Sequence, residues 1–205
     1  MLVVKQYLKH LLGVNIFSLI LFSVSAQNDS TKTNQKNVFS SQVLAGVLEG
    51  SGGSAFQLQV INGVSKAGWF TGLGTGIDYY FFRSIPVFLS VTKVFTESNN
   101  SFFAQADAGV NFGWTNQEIN RFNNVISDKF KSGLYWNSAL GISTMIGSQK
   151  SKLLFSLGYS YKHLQEIKEV QVFCINPPCQ NQVEEYNYHL RRLSFKIGWQ
   201  FKATH

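Results

Sequence analysis

The sequence is poor in the features that mark several common classes of protein. It has two cysteines and three prolines in 205 residues, and it contains no G-x-S-x-G motif and no recognisable cofactor motif. After residue 26, no apolar run reaches the roughly 20 residues that a membrane helix needs. The formal net charge is +7, but the basic residues are scattered and only Arg191 and Arg192 are adjacent. We therefore expect neither a nucleic-acid partner nor a cofactor.

The first 26 residues have the order of a cleavable secretory signal. Lys5 and Lys9 precede an apolar run from Leu11 to Phe22, and the small residues Val24, Ser25 and Ala26 follow it. An uncleaved membrane anchor is the alternative, but the run is shorter than the roughly 18–20 residues that span a bilayer. Residues 27–38 are polar and without apolar periodicity, which predicts a disordered lead-in. The sequence thus predicts an exported protein whose mature part is one domain.

The two cysteines, Cys174 and Cys179, lie close together in the segment CINPPC. In an exported protein, such a pair usually forms a local disulfide. A metal site is the alternative, with His163 and His189 as the nearest histidines of the mature chain. We favour the disulfide and expect no metal.

Alternation with a period of two is the main structural signal. The chain has 18 Phe, 8 Tyr and 4 Trp. Between Phe102 and Trp114, one face carries Phe, Ala, Val and Trp, whereas the other carries mostly Gln, Asp, Asn and Gly after Phe103. Long apolar faces with aromatic ends are typical of a lipid-facing band. They predict an all-β fold, an eight-stranded antiparallel transmembrane β-barrel with up-and-down meander topology. A soluble, lipocalin-like ligand-binding barrel is the alternative and would require the two faces to be exchanged.

The predicted barrel occupies residues 39–201, and residues 202–205 form a tail. The eight strands are expected near 39–49, 54–62, 68–81, 86–96, 102–114, 133–147, 152–163 and 189–201. With both termini periplasmic, the short connections at 63–67, 97–101 and 148–151 lie on the periplasmic side. The long segments 115–132 and 164–188 then lie outside, as in bacterial outer-membrane barrels. Residues 50–53 (GSGG) are either a loop or a bulge, and the turn at 83–86 is unusually tight for an outer loop.

The interior of an eight-stranded barrel is only just wide enough for side chains. The inward faces are expected to carry five charged residues: Asp78, Asp107, Lys162, Arg192 and Lys196. Lys93 is a further candidate whose face is ambiguous. Charges of both signs in a narrow interior should pair, so we expect a packed polar lumen. A narrow pathway for protons or small ions is the alternative.

Four segments carry a resemblance to known proteins: GLGTGIDYYFFRSIPVFLSV at 72–91, DAGVNFGW at 107–114, LGYSY at 157–161 and LSFKIGWQF at 193–201. They resemble small outer-membrane β-barrel proteins of the Bacteroidetes type. The resemblance implies insertion by the barrel-assembly machinery, which recognises an aromatic terminal strand. Phe195, Trp199 and Phe201 match that signal, although Lys202–His205 follow it. The resemblance implies almost nothing about activity.

Three functional hypotheses follow for a protein in the outer membrane, in contact with its lipid. The first is a non-enzymatic barrel with a structural or surface-binding role through its outer loops, in particular residues 164–188, which could contact a surface partner. The second is a lipid-modifying enzyme at the outer rim, in which His163 and His189 approach each other and one of the glutamates at 166, 169, 184 and 185 orients one ring. The third is a narrow channel. The first is favoured, because no catalytic motif is visible.

Overall fold

The computed structural model describes residues 37–96, 98–114, 125–147, 151–170 and 182–202. The predicted signal segment, nearly all of the lead-in, the last three residues and both cysteines lie outside these ranges, so those expectations remain predictions. No helix in the described ranges is long and apolar enough to cross a membrane.

The described residues form nine antiparallel strands. They are β1 (Val38–Gly50), β2 (Gly53–Lys66), β3 (Trp69–Asp78), β4 (Ser84–Val94), β5 (Asn100–Gly113), β6 (Val125–Lys131), β7 (Gly133–Ile146), β8 (Ser151–Val170) and β9 (Gln182–Lys202). Eight of them close a ring in the order β1-β2-β3-β4-β5-β7-β8-β9, because β9 pairs with both β8 and β1. The predicted eight-stranded antiparallel barrel is confirmed.

The register of the ring fixes its stagger. Starting at Ser40 on β1, the directly paired residues lead through Gly63, Gly72, Ser90, Asp107, Asn137, Ser160 and Arg192. Arg192 then pairs with Gly50 of β1, ten residues beyond the starting point. A stagger of this kind tilts the strands and closes the barrel without a free edge. The residues of this circuit lie on the inward face or are glycines.

The two faces of the strands are distributed as the alternation predicted. Large apolar side chains on the outside are exposed, among them Leu73 and Leu89 at 64% and Leu140 at 68%. The inward positions carry buried Ser, Gln, Asn and charged residues, together with a smaller apolar group. A barrel with an apolar exterior and a largely polar interior is the inverse of a soluble barrel. The exchanged faces of the lipocalin-like alternative are therefore wrong.

Several details differ from the predicted strands. Strand β3 ends at Asp78 rather than at residue 81, so the turn to β4 comprises residues 79–83, and β4 begins at Ser84. Pro86 is the third residue of β4, and the pairs between β3 and β4 are interrupted beside it, because proline has no N–H to donate. Gly50 and Gly53 pair directly, so the ambiguous GSGG segment is a two-residue hairpin turn. Lys202, expected in the tail, is the last residue of β9.

The largest difference concerns the two long connections. Strands β8 and β9 were expected to cover 152–163 and 189–201, but they remain paired up to Val170 and Gln182. Strand β6, inside the expected outer loop at 115–132, pairs with the extended part of β8 from Lys131↔Gln165 to Val125↔Val170. Strands β8 and β9 thus continue beyond the ring, and β6 pairs alongside them. We call this part the outer sheet (125–131, 163–170 and 182–190) and the end of the barrel that carries it the hairpin end.

Candidate functional site

A buried ion cluster occupies the lumen near the hairpin end. Asp78 is the last residue of β3, and both its partners are fully buried with it: the Nζ of Lys162 lies 3.3 Å from Oδ1, and the Nη1 of Arg192 donates to Oδ2. Arg192 also donates to the Oγ of Ser160 at 2.8 Å. Its guanidinium lies 5.4 Å from the centroid of the Tyr80 ring. One carboxylate therefore bridges two cations from β8 and β9, and the predicted lumen residues Asp78, Lys162 and Arg192 meet.

Lys162 also binds the turn between β3 and β4. Its Nζ donates to the carbonyl oxygens of Tyr80 at 2.8 Å and Phe82 at 3.1 Å, and to the Oγ of Ser84 at 3.0 Å. Asp78 accepts from the backbone N–H of Tyr80 at 2.8 Å. The turn is therefore fastened to the opposite wall of the barrel, and one ammonium group satisfies three acceptors and one carboxylate.

Asp107 lies in a second, less charged group. It accepts from the side-chain amides of Gln105 at 3.0 Å and Asn137 at 2.9 Å. Asn137 in turn accepts from the Oγ of Ser194 at 3.2 Å. Asp107 is 3% exposed, so amide donors rather than solvent stabilise its charge in the lumen.

Lys196, the fifth predicted lumen residue, belongs to a neighbouring chain of hydrogen bonds. Its Nζ donates to the Oε1 of Gln59 at 2.9 Å, and the amide of Gln59 donates to the hydroxyl of Tyr135 at 2.9 Å. Lys93, whose face was ambiguous, does not join the lumen. Its ammonium lies 4.6 Å from the centroid of the Trp69 ring on the outside of the barrel.

An apolar cluster fills much of the remaining lumen. It consists of Leu44, Ile61, Phe70, Phe88, Phe103, Tyr135 and Leu154, all at most 5% exposed. Glycine on the neighbouring strand makes room for one of the large rings: Gly74 of β3 pairs directly with Phe88, and a Cβ added to it would lie 2.4 Å from the Phe88 ring. The polar expectation for the lumen was therefore incomplete. Along each strand, the inward Phe and Leu residues are interspersed with inward polar residues. Only the register between strands shows that the apolar residues of different strands form one cluster.

The hairpin end is covered by aromatic side chains. The Phe82 ring lies 4.9 Å from the rings of both Phe130 and Tyr188, and Phe81 packs edge-on against Phe82 at 4.8 Å. Phe130 comes from β6 and Tyr188 from β9, so the cap joins the β3–β4 turn to the outer sheet. The positive φ of 62° at Phe81 makes this turn possible and is uncommon for a bulky residue.

The outer sheet carries acidic and tyrosine side chains on the face that continues the lumen side of β8 and β9. Tyr188 donates to the Oε2 of Glu166 at 2.8 Å, and Lys168 lies 3.1 Å from the other oxygen of Glu166. Tyr186 donates to Glu184 at 2.8 Å, a hydrogen bond that raises the pKa of the Tyr186 hydroxyl. Within the predicted partner-binding segment 164–188, residues 164–170 and 182–188 are thus paired strand. The predicted disulfide lies outside the described residues.

The two rim histidines meet, as the enzyme hypothesis required. His163 and His189 are directly paired on β8 and β9, and their rings stack with centroids 4.8 Å apart at an angle of 22°. The Nδ1 of His189 lies 2.8 Å from the hydroxyl of Tyr161. Of the four glutamates named for that role, Glu166 and Glu184 interact with Tyr188, Lys168 and Tyr186 on the opposite face of the sheet. Glu169 and Glu185 share the face of the histidines, where Glu185 accepts from the amide of Gln165 at 3.1 Å.

The terminal strand presents its aromatic residues to the outside. Phe195, Trp199 and Phe201 are 52%, 41% and 46% exposed, and the last two stack with centroids 5.7 Å apart. They alternate with the inward residues Lys196, Gly198 and Gln200. Their role as an insertion signal remains a prediction.

Comparisons with known proteins bear on the fold alone. No family model matches the chain, and no curated protein matches it either. Among solved structures, Neisserial surface protein A is similar at 14% identity and a TM-score of 0.51, over 82% of this chain and 97% of that one. The N-terminal β-barrel domain of Pseudomonas aeruginosa OprF is similar at 10% identity and a TM-score of 0.53, over 82% and 99%. The chain therefore has the fold of small outer-membrane β-barrels.

Proposed function

We propose that the protein is a closed, non-enzymatic outer-membrane barrel that presents its outer sheet as a binding surface. The observation that carries the proposal is the continuation of β8 and β9 beyond the ring, with β6 paired alongside. A rigid element held above a filled barrel is suited to contact another molecule, because its shape does not depend on that contact. No cofactor or metal is needed for this role.

The exterior supports a membrane location. Exposed leucine, valine and phenylalanine side chains surround the ring, and aromatic residues such as Trp69, Trp136 and Trp199 stand near strand ends, as in lipid-facing barrels. With the short turns periplasmic, the hairpin end faces the outside of the cell. This placement presumes export by the predicted signal segment and insertion by the barrel-assembly machinery. The resemblance to the Bacteroidetes type is part of the same proposal.

The filled lumen argues against the channel alternative. The apolar cluster, the ion cluster around Asp78 and the aromatic cap at Phe82 lie in sequence along the interior. An ion crossing the barrel would have to displace packed side chains and separate buried charge pairs, both of which are costly. We therefore propose a structural role for Asp78, Asp107, Lys162, Arg192 and Lys196.

The outer sheet offers a surface of mixed character to a partner. Tyr186 is 42% exposed, with Glu184 and Lys168 beside it on one face of the sheet, and Val183, which is 61% exposed, lies on the opposite face. Exposed aromatic residues framed by charges are common in binding surfaces. Residues 164–188 remain the proposed contact region.

A display experiment tests the proposal. Intact cells expressing the protein are treated with trypsin, and cleavage at Lys168 in the outer sheet is measured by mass spectrometry. A Lys168→Gln variant controls for the site of cleavage, and Lys66, beside the short β2–β3 turn, should be cut only after the cells are lysed. Cleavage at Lys66 on intact cells would reverse the orientation. Protection of both sites on intact cells, with cleavage after lysis, would contradict surface display.

A second measurement tests the closed lumen. The purified barrel is expected to give no steady conductance in a planar lipid bilayer, whereas a variant that lacks both the Phe88 ring and the Lys162 ammonium (Phe88→Gly with Lys162→Ser) should conduct. Steady conductance of the unaltered protein would support the channel alternative.

The meeting of the rim histidines keeps the lipid-modifying alternative testable. If His163 or His189 acts as a base, the outer-membrane lipid profile of cells expressing the barrel should revert to that of cells without it when either is replaced by glutamine. An unchanged profile in both variants would agree with the non-enzymatic role.

A further inference from the structure

The histidine pair at the rim has a geometry that goes beyond packing. His163 and His189 are opposite each other in the register of β8 and β9, so both side chains leave the sheet on the same outer face. Their rings are nearly parallel, with centroids 4.8 Å apart. Two imidazoles that bind one ion at about 2.0–2.1 Å each place their nitrogens roughly 3 Å apart. Because the lone pairs of an imidazole lie in the plane of its ring, both rings must turn out of the stack to direct one nitrogen each at a shared ion, and the direct cross-strand pairing keeps both rings within reach of that ion.

The hydroxyl of Tyr161 gives one ring a defined orientation. It lies 2.8 Å from the Nδ1 of His189. In the tautomer that carries its proton on Nδ1, His189 donates to Tyr161, and the lone pair is then on Nε2. Histidines that bind metals are commonly oriented by such a hydrogen bond from the other ring nitrogen.

The surroundings of His163 leave it accessible. Gly133 of β7 lies beside it and has no side chain to crowd the ring, whereas a Cβ at that position would be only 2.9 Å from the Nδ1 of His163. Neither histidine is buried. The next pair on the same face, Gln165 and Asn187, places amide groups two residues farther along both strands from the ring of the barrel. An ion can therefore reach the pair from solvent without a change in the backbone.

We propose that His163 and His189 form a two-histidine site for a divalent transition-metal ion, with Tyr161 as the positioning residue. Clusters of three or more His, Cys, Asp or Glu side chains in metal-binding range are absent from the described ranges, so solvent completes the coordination. Imidazole pairs of this kind bind Cu²⁺ more tightly than Zn²⁺ or Ni²⁺. The site revises the sequence-based expectation of no metal and is independent of the proposed partner binding.

The test is a titration of the mature chain (residues 27–205, without a histidine tag), folded in detergent, with Cu²⁺. Binding is followed by quenching of tryptophan fluorescence, because Trp136 stacks on Tyr161 beside the pair, and the ligands are identified by electron paramagnetic resonance. We expect one ion per chain and a signal from two imidazole nitrogens. His163→Gln and His189→Gln should each lower the affinity at least about tenfold, and Tyr161→Phe should lower it by about tenfold. His205→Gln, at the other mature histidine, should leave it unchanged.

His163→Phe and His189→Phe keep an aromatic ring in the stack but remove the nitrogens, so they separate loss of a ligand from loss of packing. The folded state of every variant is checked by its mobility on gels with and without boiling. Affinity that survives in a folded variant lacking both histidines would overturn the proposal, as would loss of affinity only in His205→Gln.

Discussion

The Nζ of Lys162 on β8 lies 3.3 Å from the Oδ1 of Asp78 at the end of β3, with both side chains fully buried. These strands are not neighbours in the ring, so the ion pair spans the lumen. Because Arg192 binds the other oxygen of the same carboxylate, the negative charge of Asp78 holds two cations in place.

Replacing Asp78 by asparagine should therefore be strongly destabilising. Asp78→Asn keeps the shape of the side chain but leaves Lys162 and Arg192 buried without their carboxylate. Breaking a buried pair in this way costs about 3–5 kcal/mol. The free energy of unfolding is measured by urea titration in detergent. Glu185→Gln, at an exposed residue that binds Gln165, serves as the control and should change stability by less than about 0.5 kcal/mol. A loss below about 1 kcal/mol in Asp78→Asn would mean that the cluster is not held by charge.

The cost of placing a charge on the outer surface of the barrel should depend on its depth in the membrane. Leu140 and Val183 are similarly exposed, at 68% and 61%, but Leu140 lies in the middle of β7 and Val183 on the outer sheet. Leu140→Arg should cost about 2–4 kcal/mol in a lipid bilayer, and Val183→Arg close to nothing. The comparison is made by unfolding the barrel from lipid vesicles. Equal losses of stability at the two positions would mean that both lie in the same environment, and would contradict the predicted placement of Leu140 in lipid and Val183 in water.

The packing of Phe88 against Gly74 predicts sensitivity to a single methyl group. A Cβ at Gly74 would lie 2.4–2.5 Å from atoms of the Phe88 ring, so Gly74→Ala should destabilise the barrel by about 1–3 kcal/mol. Thr75→Ala, at the adjacent outward position, is the matched control. If the double variant Gly74→Ala with Phe88→Leu is more stable than Gly74→Ala alone, the loss of stability comes from the contact with the Phe88 ring rather than from the backbone of β3.

A cation between two aromatic rings should orient the β3–β4 turn. The guanidinium of Arg83 lies 5.4 Å from the centroid of Tyr79 and 5.3 Å from that of Trp114. Arg83→Ala should cost about 0.5–2 kcal/mol, and Arg83→Lys should retain part of that energy. Near-ultraviolet circular dichroism follows the packing of Trp114, whose spectrum should change in the alanine variant and change less in the lysine variant. An identical spectrum in both would indicate that the rings are held by other contacts.

The sequence allowed the ring to be predicted because a period of two repeats over each strand. In β5, for example, Phe102 faces outward and Gln105 inward, as the alternation requires. The ends of the strands could not be predicted in the same way. In the part of β8 above the ring, each face mixes apolar and charged residues, with Ile167 beside Glu169 on one face and Leu164 beside Glu166 on the other, so the alternation fades while the backbone pairing continues. Strand β6 was missed for the same reason, since Lys129 and Lys131 alternate with few apolar residues.

The partners within the lumen were beyond the reach of the sequence. The alternation along each strand assigns Asp78, Lys162 and Arg192 to the inward face. Which of them lie at the same height along the barrel axis depends on the stagger of ten residues, which the sequence does not show. The proximity of His163 and His189 could be predicted from the sequence, because the two residues flank the same long connection between consecutive strands. The hydrogen bond between Tyr161 and His189 depends on the register of β8 with β9 and was not predicted.

The closure of the ring between its first and last strands has a kinetic consequence. Gln42 of β1 pairs with Gln200 of β9, so the final seam joins segments that are far apart in the chain, and it cannot form until β9 has been synthesised. Contacts of such high sequence separation make folding slow and leave two unpaired strand edges exposed in the meantime. Until the seam closes, the unpaired edges of β1 and β9 can pair with other chains, which puts the incomplete barrel at risk of aggregation.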